Sequence, residues 1–534
     1  MRLWPLLTAL LLLAAPALAG PRYQIRAANW SAADERDYGA FIAAIGASGC
    51  RSVDSCLHDA TNPFRASDPP GRRFRADCAD LPYALRFYFA WKRGLPFSYV
   101  AAVAPRGRGD DIRYTARGNQ VAERLTVANG ADAMAVLADL RDRISSATYR
   151  IHPELEEPES DFYSPALTPR AIRPGTVIYD PNGHLAIVWR IERDGRIRYI
   201  DAHPDNSLTR GFYDQRFVRA SPGMGAGFKN WRPVRLVGAA RQADGSLAGG
   251  HIVLARNAEI GDFALTQFFG SGPRPANDSD WKSGVFAMGG APMDYYDYVR
   301  AALGGGALHF DPLTEMADMV ASNCADLSYR ADAVGVALAA GLQNRPQPAR
   351  LPRNIYGTDG DWEIFSTPSR DARLKTAFKE TRDQAMRFVA LWRAHDPRLV
   401  YQGGDLVGDL TRIYRHAAAA CTVRYVRSDG TPAEIGYEAA RERLFRMSFD
   451  PYHCAEHRWG EDGPTCRDGV VKRRWYAAEQ NLRNQLDRTY ETRMDFSLGE
   501  LESGVPGSGP AAPPQTDVLG WLAAGAPLAQ EKGR

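Results

Sequence analysis

Residues 81–91 form an almost unbroken apolar run, interrupted only by Arg86. A helix made from it has no face left for water, so it belongs at the centre of whatever surrounds it. Gly94-Leu95-Pro96 ends it. The rest of the first part of the chain must pack around this element. Ser31 opens a helix over residues 32–45, and alternation over 97–103 and 112–127 predicts strands. A further helix is expected over 131–144. Residues 175–179, 185–191 and 196–200 read as three short strands, the last two joined tightly across Asp194-Gly195. To about residue 260 this is the pattern of an α+β unit.

Beyond residue 261 the spacing becomes helical, over 294–303, 313–342, 371–395, 406–420 and 471–493. Ser366-Thr367-Pro368 punctuates the start of one of these helices. The expected organisation is a leader over 1–19, an α+β unit over 20–260, a mostly helical unit over 261–502 and a disordered Gly/Pro/Ala-rich tail over 503–534. A chain of 534 residues, 45% hydrophobic, has material for two such cores. Its net charge of only +3 supplies no field for nucleic acid, and no nucleic-acid partner is expected.

Arg2, the apolar run over 3–13 and the closing Ala17-Leu18-Ala19 follow the order of a signal peptide, with cleavage expected after Ala19. No later stretch is long and apolar enough to span a bilayer. A periplasmic or secreted protein is therefore expected, with no membrane span once the leader is removed. Export makes the seven cysteines informative, because an oxidising compartment pairs structural cysteines and an odd number leaves one over. Cys50 with Cys56 and Cys454 with Cys466 are the expected local pairs. Cys324 with Cys421 is then the long-range pair, and Cys78 stays free.

Cys78 stands in Asp77-Cys78-Ala79-Asp80-Leu81, at the entry to the buried helix. Unpaired N–H groups and the positive end of a helix favour a thiolate there. His184, at the start of a predicted strand in Asn182-Gly183-His184-Leu185, is the candidate base. Asp201, ending the next strand, would hold the imidazole tautomer, with His203 as its competitor. A strict two-residue turn at Asp194-Gly195 sets Asp201 opposite Val188, about 13 Å of strand from His184. A bulge or strong twist must close that distance if the three are to meet.

These pieces, with Pro174-Gly175-Thr176-Val177 and Gly183-His184-Leu185-Ala186-Ile187-Val188, resemble the papain-like fold. The likeness is to NlpC-type cell-wall peptidases and the related CHAP amidases, over roughly residues 75–205. It implies a thiol hydrolase acting on amide bonds of peptidoglycan peptides, with Cys78 as nucleophile, His184 as base and Asp201 as orienting group. It implies no cofactor or metal. The 106 residues separating Cys78 from His184 imply an inserted helix and strands. Pro82 cannot donate to the Cys78 carbonyl, so the first helical turn must be kinked or 3₁₀-like.

Two other readings compete. A transglutaminase-like enzyme uses Cys, His and Asp in this same order, and residues 86–97 fit its helix and following strand. A non-catalytic envelope-binding scaffold would keep the fold and lose the reactivity. Cys324 sits in a segment echoing that of Cys78 but falls in mid-helix, and is read as structural. Asp359, Asp361 and Glu363 hint at a calcium loop that lacks its remaining ligands. His453, Cys454, His457 and Cys466 imitate a zinc site, yet exported thiolates oxidise, which favours a disulfide. Tyr295, Tyr296 and Tyr298 at helical spacing are assigned to core packing.

Overall fold

A computed structural model describes residues 21–527, except 157–159, 358–359, 366–367 and 490. The leader over 1–19, Asp359 and the Ser366-Thr367 pair lie outside the described residues. The protein is a mixed α/β molecule with a helical C-terminal region.

The helix Leu81–Arg93 is buried from Leu81 through Ala90. Arg86, its one charged interruption, is neutralised in place. Its guanidinium lies 3.3 Å over the Trp30 ring and donates to Glu35 Oε2 at 2.9 Å. The helix Ala32–Ala47, capped by Ser31, covers one side of the same core.

The main sheet has six strands, in the spatial order Phe162–Tyr163, Gly227–Trp231, Val177–Asp180, His184–Ile191, Ile197–Ala202, Leu208–Phe212. All its pairings are antiparallel. Both faces are buried, by strict alternation. Val177, Tyr179, Leu185, Ile187 and Ile200 join the core of the Leu81–Arg93 helix. Ile178, Ala186, Val188, Ile197 and Tyr199 pack on the other face against Tyr295, Tyr298, Val299 and Leu303. Residues beyond 260 therefore complete the sheet's second face, and the Tyr295–Leu303 helix is held there by its aromatic stripe.

The insertion between Cys78 and His184 contains the hairpin of Ser98–Pro105 with Asn119–Thr126 and the helix Ala133–Arg143. The helical region has its own core around Pro312–Ala339, Pro368–Arg393 and Leu406–Ala419. Three disulfides join Cys50–Cys56, Cys324–Cys421 and Cys454–Cys466, and Cys78 is the free cysteine. No helix among the described residues is long and apolar enough to cross a membrane.

Three expectations change. The helix over 471–493 is two short helices, Val470–Ala478 and Gln480–Asn484. The chain then runs extended, because bridges from Arg493 to Asn354 and from Ser497 to Arg350 bury Met494 and Phe496. A hairpin of Thr422–Val426 with Pro432–Gly436 was not foreseen. The tail expected to be disordered is ordered over 503–527. Asp517 caps the helix Val518–Ala523, whose Val518, Trp521 and Leu522 enter the helical core, and Arg393 donates to Ala526 O at 2.8 Å. Small residues elsewhere in the tail masked this one anchoring turn.

Candidate functional site

Asp77 and Asp80 cap a turn that places Cys78 just ahead of the buried helix. Asp77 Oδ1 accepts the N–H groups of Ala79 at 2.8 Å and Asp80 at 3.3 Å, and Asp77 N–H donates to Asp80 Oδ1 at 2.6 Å. The kinked or 3₁₀-like first turn expected of Pro82 is not seen: Leu81 N–H donates to Asp77 O at 3.1 Å and Ala84 N–H to Asp80 O at 2.8 Å, both α-type bonds, because Pro82 sits at the helix start, where its missing N–H costs nothing. The Cys78 N–H has no acceptor among the described residues. Burial, together with the neighbouring Asp77, pushes the Asp80 carboxyl up to about 9, so it is protonated at neutral pH.

His184 opens its strand directly after the three-residue turn Pro181-Asn182-Gly183, where Asp180 pairs with His184 and Gly183 takes φ +96°. A side chain at that φ would be strained, so glycine permits the turn that aims His184.

Asp201 reaches His184 through two one-residue shifts. The expected two-residue turn is instead the three-residue loop Arg193-Asp194-Gly195, closed by Glu192 N–H donating to Arg196 O at 2.8 Å, with Gly195 at φ +83°. A bulge at Trp189 then brings Val188 opposite Tyr199 and Ile187 opposite Ile200. Carried one residue further, this register sets Asp201 across from Ala186 rather than Val188. The remaining diagonal is within side-chain reach. His184 Nε2 lies 2.7 Å from Asp201 Oδ2.

His203 occupies a supporting place. Its Nε2 lies 3.0 Å from Thr209 Oγ1, whose hydroxyl donates to Asp201 Oδ1, while its distance to Asp201 Oδ2 is 3.9 Å. Its ring stacks on Tyr329 at 4.1 Å. Burial opposes ionisation of Asp201, but His203, His184 and the Thr209 hydroxyl overcome it and hold the carboxyl well below its usual range. Burial pushes His203 itself down against the opposing charge of Asp201, and its contact with Asp201 runs through Thr209 and across the 3.9 Å gap. Burial and the Arg373 charge also lower His184, against the opposing pull of Asp201. At neutral pH the imidazole is neutral, its Nε2–H directed at Asp201 and its Nδ1 lone pair available.

Cys78 lines a cleft of about 200 Å³ with His184, His203, Tyr356, Arg370 and Arg373. Its Sγ lies 3.9 Å from Gly183 O and makes no hydrogen bond to the imidazole. Contrary to the expected stabilised thiolate, burial and the Asp77 carboxylate push this thiol up. Arg373 and the Leu185 N–H act only partly against them. His184 and Asp201 thus meet directly, whereas Cys78 shares a cleft with His184 alone of the two and makes no hydrogen bond to it.

Tyr329, Tyr356, Arg370 and Arg373 were not found by sequence reasoning. They come from the helical region, more than 120 residues beyond Asp201, and no motif ties them to it. Thr209, one strand further than Asp201, carries no signal beyond its hydroxyl. No family model, no curated protein and no solved structure matches this chain.

Proposed function

We propose that this chain is an exported thiol hydrolase with a papain-like, NlpC-type catalytic unit, cleaving amide bonds of peptidoglycan peptides in the periplasm or outside the cell. The observation that carries this reading is His184, held 2.7 Å from Asp201, lining the same cleft as the unpaired Cys78. In this reading Cys78 Sγ attacks the amide carbonyl as its proton passes to His184 Nδ1, the nitrogen not engaged by Asp201. The oxyanion is met by the free Cys78 N–H. The imidazolium then protonates the leaving amine, and water, deprotonated by His184, releases the acyl group and restores the thiol. Apo catalytic hydrogen bonds are commonly loose, so a 3.9 Å sulfur contact to the peptide beside His184 is compatible with closure on substrate.

The cleft also bears on substrate charge. Arg373 has no hydrogen bond or ion pair among the described residues, and its charge acts on Cys78, His184 and Tyr356. A half-buried cation lining the same cleft as the nucleophile favours a peptide with a free carboxylate near the scissile bond. Wall peptides meet that requirement.

A transglutaminase-like transfer would use the same three residues with an amine replacing water. The raised thiol favours a third reading, a non-catalytic scaffold. Mass analysis of peptidoglycan peptides incubated with wild type and Cys78→Ala separates the three. Cleaved peptides from wild type alone support the hydrolase, amine-exchanged products the transferase, and unchanged peptides the scaffold.

A further inference from the structure

Asp450, His453 and Glu479 meet in a closed pocket of the helical region, far in sequence from the Cys78 cleft, and each is 0% exposed. One ligand atom from each lies within 4.8 Å of the others. His453 Nε2 meets no hydrogen-bond partner among the described residues, and the Glu479 carboxyl meets no N–H or hydroxyl donor, only the carboxyl of Asp450. His453 Nδ1 is occupied by Ser448 Oγ at 2.8 Å, which orients the ring with Nε2 inward. Asp450 Oδ2 lies 3.9 Å from that Nε2. Asp450 is itself held by the Tyr452 N–H at 2.7 Å and Gln347 Nε2 at 2.5 Å.

Two buried carboxyls set against each other without a donor group between them are costly, so something must balance them. Arg483 comes within 3.7 Å of Glu479 Oε2, but its Nη1 and Nη2 donate instead to Tyr476 O and Gln480 Oε1. Arg458 and Lys472 act on Asp450 from further off. The neighbouring set that looked like a zinc site in the sequence is closed to metal. Cys454 and Cys466 are joined in a disulfide, and His457 Nδ1 is engaged by Asp468 at 2.8 Å.

We propose that Asp450, His453 and Glu479 form a structural site for a divalent first-row transition cation of the zinc type. The donor set is one imidazole nitrogen and carboxylate oxygens, a mixture that suits borderline divalent ions. His453 Nε2, one oxygen of Asp450 and the two oxygens of Glu479 supply four donor atoms without solvent. The cation would tie the turn at 450–453 to the junction of the helices Val470–Ala478 and Gln480–Asn484.

The test uses the full chain with its disulfides intact, since reduction would expose a second, thiolate site. Protein stripped with a chelator is incubated with an equivalent of Zn²⁺, desalted and assayed for metal. The expected result is about one zinc retained per chain, with an absorption-edge spectrum of nitrogen and oxygen neighbours at about 2.0–2.2 Å and no sulfur shell near about 2.3 Å. His453→Gln and Glu479→Gln should each weaken retention at least about tenfold. Folded wild type that retains no zinc would overturn the site in favour of a proton shared between Asp450 and Glu479. A sulfur shell, or unchanged retention in folded Glu479→Gln, would overturn it equally. Should the variants not fold, the wild-type metal content and spectrum decide alone.

Discussion

Residues 78–83 and 324–329 have nearly the same sequence, Cys-Ala-Asp-Leu-Pro-Tyr against Cys-Ala-Asp-Leu-Ser-Tyr, and opposite fates. Pro82 has no N–H to bond the Cys78 carbonyl, so the helix starts at Leu81, the chain ahead of it is a capped turn and Cys78 faces a cleft. Ser328 imposes no such boundary. Cys324 lies inside the helix Pro312–Ala339 and is tied to Cys421. The two segments still converge on one place. Tyr329 stacks on His203, and Asp326 pairs with Arg216 at 3.2 Å behind the His184–Asp201 pair, where burial raises it to about 6. One proline separates a candidate nucleophile from a structural thiol.

The largest break in this comparison should come from the cysteines. Cys78→Ala should abolish peptide cleavage, a loss of at least about 10³-fold, with unchanged thermal melting. Cys324→Ala with Cys421→Ala should leave the turnover of folded protein near wild type while costing about 2–5 kcal/mol in denaturant unfolding. Equal loss of activity in both would mean that cleavage only reports folding.

Next in size is the orienting role. Asp201→Asn should lower kcat by about 10²–10⁴-fold at unchanged melting, because it removes the charge that stabilises imidazolium. His203→Ala, which removes a group 3.9 Å from Asp201 and leaves the direct His184–Asp201 contact in place, should cost less. The reverse ranking would transfer the role to His203.

A smaller effect tests the Arg373 charge without requiring hydrolysis. Iodoacetate, an anion, should alkylate Cys78 faster relative to neutral iodoacetamide in wild type than in Arg373→Gln, by up to about tenfold at low salt. An unchanged ratio would remove Arg373 from substrate recognition.

The smallest is a displaced pH profile. With burial and Asp77 raising the thiol, iodoacetamide labelling of Cys78 should rise only at a pH above that of free cysteine, about 8.5. Asp77→Asn keeps the cap but removes the negative charge that disfavours thiolate, so its labelling profile should move to lower pH. Labelling of wild type at mildly acidic pH would show instead that His184 forms an ion pair with the sulfur.

Local chemistry by itself determined much of this protein. The apolar run before Gly94, the turn glycines Gly183 and Gly195, the pairing of six cysteines and the isolation of Cys78 depend on neighbours within a few residues or on counting, and all are present in the structure. The candidates Cys78 and His184 were legible for the same reason, each marking the end of an element, whereas Asp201 was preferred to His203 on the family resemblance. Register was not, because a three-residue loop and a bulge at Trp189 each differ from their alternatives by one residue, and hydrophobic alternation is nearly blind to such shifts when both faces of a sheet are buried. The charge state of Cys78 was decided by burial and Asp77 together, a balance that helix position alone does not reveal. Arg373 reaches the cleft and Tyr329 reaches His203 because the helices that carry them dock beside the sheet, a contact set by the complementarity of surfaces distant in sequence. That complementarity belongs to the folded surfaces and has no local signature.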